Sequence, residues 1–183
     1  MKSVLLILSI ALLAGFASAT TVDFDSYSPT NTCLATVSSG GLDFNTGGFC
    51  MGVWTGNPNG NGTPSLIYTD FGGGRSVTMS LTGGGTFTLN SADLTISWYD
   101  NNTSDTILVN GNPITLFQGL QTYNLNLTNV TSVTFSELSS GTGYWLMDNV
   151  VYNGGTTPEP GTLALLGSGM LAGLGVLRRK VRL

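Results

Sequence analysis

The sequence predicts an all-β protein built as an antiparallel β-sandwich. Two patterns carry that expectation: about ten short apolar-periodic runs between residues 21 and 152, and glycine- or asparagine-rich breaks between them. A third observation is negative, since no stretch of that region has the period of an amphipathic helix. Evenly spread aliphatic and aromatic residues separate the chain from a disordered linker. Within the sandwich class a jelly roll is the expected topology, with an immunoglobulin-like arrangement as the alternative.

In chain order, Val22 and Phe24 open the first strand. Leu42 with Phe44, and then Phe49 to Trp54, predict two more; Leu66 to Phe71 follows and ends at Gly72-Gly73-Gly74. Val77, Met79 and Leu81 alternate cleanly up to Gly83-Gly84-Gly85. Phe87, Leu89, Leu94, Ile96 and Trp98 read as one long or bulged strand. Ile107 to Val109 and Ile114 to Phe117 flank Asn110-Gly111, a tight-turn signal inside a loop expected to exceed two residues. Tyr123, Leu125 and Leu127 alternate, as do Val133 and Phe135, and Tyr144 to Tyr152 closes the domain.

The two ends have a different character. Residues 1–19 read as a signal peptide: Lys2 is the positive start, Val4 to Phe16 the apolar core, and Ala17-Ser18-Ala19 the small-residue pattern for signal peptidase. Cleavage is expected after Ala19. Residues 20–153 are the sandwich domain, and 154–183 form a tail in fixed order. Gly154-Gly155-Thr156-Thr157 is a flexible spacer, and Pro158-Glu159-Pro160 is a stiff extended clip. Leu163 to Leu177 is apolar, and Arg178, Arg179, Lys180 and Arg182 make a basic end. At ~1.5 Å per helical residue the apolar run reaches somewhat less than the ~30 Å hydrocarbon core, so it is a marginal span, expected as a C-terminal transmembrane helix. The basic end is expected to stay cytoplasmic, which places the body outside. A plain tail anchor, or a helix pairing through Gly169 and Gly173, is the blander alternative.

This tail resembles the PEP-CTERM sorting signal of Gram-negative bacteria: Pro158-Glu159-Pro160, then Gly173-Leu174-Gly175, then Arg178-Arg179-Lys180. Many members have Val before the first Pro, where Thr157 stands here. The resemblance implies recognition by the membrane transpeptidase exosortase. It also implies an inner-membrane-anchored precursor, delivery to the cell surface or extracellular matrix, and an association with exopolysaccharide. The body is similar, by pattern, to carbohydrate-binding-module-like jelly rolls. The carrying residues are Phe87 to Leu94, the Val109-Asn110-Gly111 turn and the closing Leu146-Met147-Asp148-Asn149-Val150.

Charge and composition exclude several functions. Between Thr20 and Thr157 nine acids face the single cation Arg75, a net of −8, so no basic patch for nucleic acid can form. The chain has no histidine, which removes histidine-based acid–base chemistry, histidine triads and most zinc sites. Cys33 and Cys50 are the only cysteines and are expected to form a disulfide in an exported domain; a catalytic thiol would lack a histidine to activate it. No pair of carboxylates stands out by spacing for glycoside hydrolysis, so a non-catalytic module is expected, with a polysaccharide hydrolase as the alternative.

Three acids and one aromatic are candidate binding residues. Asp23 and Asp25 share a face of the first strand, and Asp148 lies on the last, which often neighbours the first. In the carbohydrate-module-like jelly rolls an early acid and the closing-strand Asp hold a structural calcium. The resemblance therefore implies Ca²⁺ at Asp25 and Asp148, with Asp23; turn-forming or solvated acids are the competing reading. No cofactor is otherwise required. Asp100 to Asp105 fails as an EF-hand, because Asp105 falls where Gly is needed and Gly111 where Glu is needed. Trp54 leads into the polar loop Thr55 to Pro64 and is the best candidate for stacking on a sugar ring, against edge packing as the alternative.

Overall fold

The computed structural model describes residues 18–28, 33–47, 50–68, 76–97, 103–138 and 144–154. Twelve strands occupy them: β1 Ala19–Val22, β2 Thr36–Ser39, β3 Leu42–Asn45, β4 Met51–Trp54, β5 Ser65–Tyr68 and β6 Ser76–Leu81. The second half holds β7 Phe87–Ile96, β8 Ser104–Val109, β9 Asn112–Phe117, β10 Gln121–Val130, β11 Ser132–Glu137 and β12 Trp145–Gly154. All pairings are antiparallel and fall into two six-stranded sheets. The first sheet runs β10-β7-β12-β5-β4, with β1 also on β12; the second runs β2-β3-β6-β11-β8-β9. The count exceeds the eight strands of a minimal jelly roll.

Alternation explains why the sheets stack. In β6 Val77 and Met79 are buried while Ser76, Thr78 and Ser80 are not, so one face is apolar and the other hydroxylated. The core joins Phe87, Leu89, Leu94, Trp145 and Met147 of the first sheet to Leu42, Phe44, Val77, Val133 and Phe135 of the second. Trp145 lies 5.7 Å from Phe135 between ring centroids, and Phe24 meets Phe44 edge-on at 5.5 Å. Phe24 follows β1 instead of extending it, yet is fully buried. Among the described residues this core runs from Val22 to Tyr152.

β7 is the long bulged strand expected. Phe87 and Leu89 face the core, then Ala92, Leu94 and Ile96 do, so the inward parity changes across Asn90-Ser91. The register against β12 shifts over the same stretch, between Asp148 and Tyr152. Trp98 lies outside the described residues.

One loop differs from expectation. Asn110-Gly111 is a two-residue hairpin turn, with φ of 48° and 81°, because β9 starts at Asn112 and accepts Pro113 opposite Leu108. β9 is an edge strand, and there a proline's missing N–H costs no ladder bond. At the β2–β3 turn a Cβ on Gly40 would stand 2.6 Å from a methyl of Val22, and φ there is +53°, so only glycine lets β1 pass so closely.

Cys33 and Cys50 are bonded, with Cα atoms 4.7 Å apart. They precede β2 and β4, which are edge strands of opposite sheets. The bridge therefore staples the two sheets along one side, reinforced by paired backbone bonds between Leu34 and Met51. On the other side the chain passes from β9 to β10, and the Tyr123 hydroxyl donates to the Thr115 carbonyl at 3.1 Å.

Candidate functional site

β12 is central, with β7 along one side and two short strands end to end along the other. Trp145 to Met147 pair with β5, and Val150 to Asn153 pair with β1. Asp148 sits at the gap between β5 and β1. It alternates with the core residue Met147, so its side chain faces away from the inter-sheet core, but it is only 1% exposed.

What covers it is the connection 55–64 between β4 and β5, which folds back over the outer face of the first sheet. The local cause is the spacing Asn57-Pro58-Asn59-Gly60-Asn61-Gly62-Thr63. The Oδ1 atoms of Asn57 and Asn61 accept from the backbone N–H two residues on, at 3.0 Å in both, which holds the loop in consecutive Asx turns. The amide nitrogens then reach the sheet. Asn57 donates to the Ser97 hydroxyl at 3.1 Å, Asn59 to the Ile96 carbonyl at 3.0 Å, and Asn61 to Asp148 Oδ2 at 2.9 Å. Ile67 and Leu146 are fully buried yet outside the inter-sheet core cluster, and the buried Thr95 hydroxyl donates to the Phe117 carbonyl at 2.9 Å.

Asp148 Oδ2 also accepts from the Thr63 hydroxyl at 3.3 Å, and Oδ1 from the Asn149 N–H at 2.9 Å. Burial raises the pKa of Asp148, and the negative charge of Asp25 adds to the rise; the bonds from Asn149, Asn61 and Thr63 oppose it. Alongside, Asp93 accepts from Thr122 at 2.6 Å and from the Asn149 amide at 2.9 Å. Asn149 has φ of 44°, which aims its amide along the sheet towards Asp93.

The structure brings Asp25 within electrostatic reach of Asp148, while Asp25 itself is exposed. Asp23 is also exposed, and its carbonyl accepts from the Ser39 hydroxyl at 2.9 Å. Calcium requires about six to eight oxygen ligands. Here Asn61 presents its amide N–H, not its oxygen, to Asp148, and both Asp148 oxygens are engaged by donors. Among the described residues no group of three or more His, Cys, Asp or Glu is placed to hold a metal. In this arrangement the Asp148 carboxylate is held by hydrogen-bond donors, with Asp25 the acid that acts on it electrostatically.

Trp54 ends β4 opposite Ser65, half-buried, where the clamped loop begins. Ser65 is buried beside it with a hydroxyl that has no partner. Trp145, by contrast, is core. Ala19 begins β1, exposed, in register with Asn153. Pro158, Glu159, Pro160, Arg178, Arg179 and Lys180 lie outside the described residues, as do Tyr99 and Asp100. The loop asparagines are the part that sequence reasoning missed. Their only signal in the sequence is an Asn at every second position, 57, 59 and 61.

No curated protein matches the chain. Residues 156–180 match the family model for the PEP-CTERM protein-sorting motif, which covers the clip, the apolar run and the basic cluster in one block. The motif supports an exported protein with a membrane-anchored precursor that exosortase sorts. The chain carries a PEP-CTERM protein-sorting motif behind a β-rich body.

Proposed function

We propose that this is a displayed or matrix-associated envelope protein whose sandwich is a non-catalytic binding or structural module, used in the company of exopolysaccharide. The observation that carries this reading is the sorting motif at residues 156–180. Export begins with leader cleavage after Ala19. Ala19 is paired with Asn153 in the folded domain, so the peptidase meets an extended substrate only before β1 docks on β12. The apolar run then holds the body at the outer face of the inner membrane, the basic cluster resists translocation, and exosortase cuts near Pro158 to Pro160. The two prolines keep Glu159 extended and clear of helix, a form that a peptidase cleft can take.

For the body, two features favour binding over turnover. Asp148, the buried acid of the site, is engaged by three donors and so is not poised to move a proton. Trp54 stands on an edge strand beside a loop held rigid by the asparagine bonds, an arrangement suited to stacking a pyranose ring. Fusing residues 155–183 to an inert exported reporter tests the sorting half. The reporter should fractionate with the membrane in cells lacking exosortase and lose the tail in cells that have it. A reporter that stays soluble in both strains refutes the reading.

A further inference from the structure

Four Asn-Gly pairs lie among the described residues: Asn59-Gly60, Asn61-Gly62, Asn110-Gly111 and Asn153-Gly154. In such a pair the glycine nitrogen can attack the asparagine Cγ, because glycine has no side chain to hinder the approach. What the reaction would do to the structure differs among the four. Asn110 Oδ1 accepts the Thr134 N–H at 2.8 Å, and Asn153 Oδ1 accepts from the Asn90 amide at 3.3 Å. A carboxylate at either position still accepts those bonds. Asn59 donates its amide to the Ile96 carbonyl, but the Gly60 N–H is held by the Asn57 carbonyl at 2.9 Å, which occupies the attacking nitrogen.

Asn61 differs on both counts. It is exposed to water, and among the described residues the Gly62 N–H has no acceptor. Gly62 stands at φ +88° with nothing within 4 Å of where a Cβ would be. The Asn61 Nδ2 is the group that donates to Asp148 Oδ2 at 2.9 Å, and Asp148 is 1% exposed. Replacing that nitrogen by oxygen exchanges a donor for a second carboxylate, and two carboxylates sharing one site repel unless one takes a proton. Burial and the charge of Asp25 already raise the pKa of Asp148, and Asp93 stands opposite it on β7. Among the described residues there is no Lys or Arg to offset the pair.

We propose that Asn61-Gly62 is a one-way latch: the loop 55–64 stays clamped on Asp148 until Asn61 loses its amide nitrogen, and at neutral pH it does not clamp again. The Gly62 nitrogen gives its proton to water and bonds to Asn61 Cγ; the Cγ–Nδ2 bond breaks, and the nitrogen leaves as ammonia with a proton from water. Water then opens the cyclic imide at either carbonyl, leaving aspartate or isoaspartate at position 61. One water is consumed, one ammonia is released, and nothing is oxidised or reduced. The clamp bonds hold the amide in place, so the reaction waits on opening of the loop.

The test uses the chain from Thr20 to Leu183 in mild detergent at pH 7, followed over time by peptide mass mapping and by hydrogen exchange of residues 55–64. Position 61 is expected to convert in the folded chain, more slowly than in urea. The converted fraction should exchange its loop amides about tenfold faster or more, the ratio that matches a lost bond to a charged acceptor. Conversion at position 110 should leave that exchange unchanged, as should Asn110→Asp. Asn61→Asp should exchange fast at pH 7 and return to the wild-type rate at pH 4, where a proton shared by the two carboxyls donates as the amide did. Position 61 intact after position 110 has converted overturns the latch, and so does wild-type exchange in Asn61→Asp at pH 7. Fast exchange that persists at pH 4, or a variant unfolded at both pH values, overturns carboxylate repulsion as the cause of release.

Discussion

Asn61→Ala removes the clamp at its most buried point. The wild-type amide donates to Asp148 Oδ2 at 2.9 Å, and its Oδ1 accepts the Thr63 N–H at 3.0 Å and shares the Thr63 hydroxyl proton with Asp148, at 2.7 Å against 3.3 Å. A hydrogen bond to a charged group contributes roughly 1.5–3 kcal/mol and a turn bond about 1 kcal/mol, so the substitution should cost about 2–4 kcal/mol at pH 7. The pH dependence identifies the cause. Asn61 is one of the groups holding the Asp148 pKa down against burial, so its loss raises that pKa further in the folded state. A raised folded-state pKa means that the folded protein binds the proton more tightly. The carboxylate share of the penalty is therefore present above the folded pKa and fades below it, while the share from the lost turn bond remains. Urea denaturation of residues 20–154 at pH 7 and at pH 4 measures both quantities. A midpoint unchanged at pH 7, or an equal loss at both pH values, would refute the assignment of the clamp to the carboxylate.

Further expectations follow from the same structure. In the wild type, burial of Asp148 should make the domain lose stability as pH rises from about 4, the unfolded aspartate value, through the higher folded pKa, and Asp148→Asn should flatten that fall in a pH series of melts. Cys33→Ser with Cys50→Ser opens a bridge of sequence separation 17, and on the chain-entropy estimate this costs about 3 kcal/mol, visible as a Tm lower by roughly 10 °C. EDTA and added calcium should leave the Tm unchanged, because the Asp148 oxygens are already occupied by donors; a calcium-dependent rise contradicts that. Trp54→Ala should abolish retention on the polysaccharide of the native matrix without changing the melt, whereas retained binding would show that the ring is edge packing.

The tail was legible because its chemistry is local: a clip, an apolar run and a basic end are read directly from consecutive residues. Strands with two or more alternating apolar residues, such as β6 and β10, were legible for the same reason. β2 was not, since Thr36-Val37-Ser38-Ser39 offers a single buried apolar side chain, and its place depends on β3 pairing beside it. β9 begins at Asn112, two residues before the expected Ile114, because an edge strand tolerates Pro113. The asparagine loop depended on bonds across 37 to 87 residues of sequence, from Asn59 to Ile96 and from Asn61 to Asp148. Spacing along the chain shows that such residues can form turns. It does not show which buried carboxylate lies beneath them.

Sorting is tested most directly by the intact mass of the protein recovered from the envelope of native cells. The expected mature chain begins at Thr20 and ends within or just before Pro158-Glu159-Pro160. A surface form that still ends at Leu183 would contradict transpeptidase processing and leave a plain membrane anchor in its place.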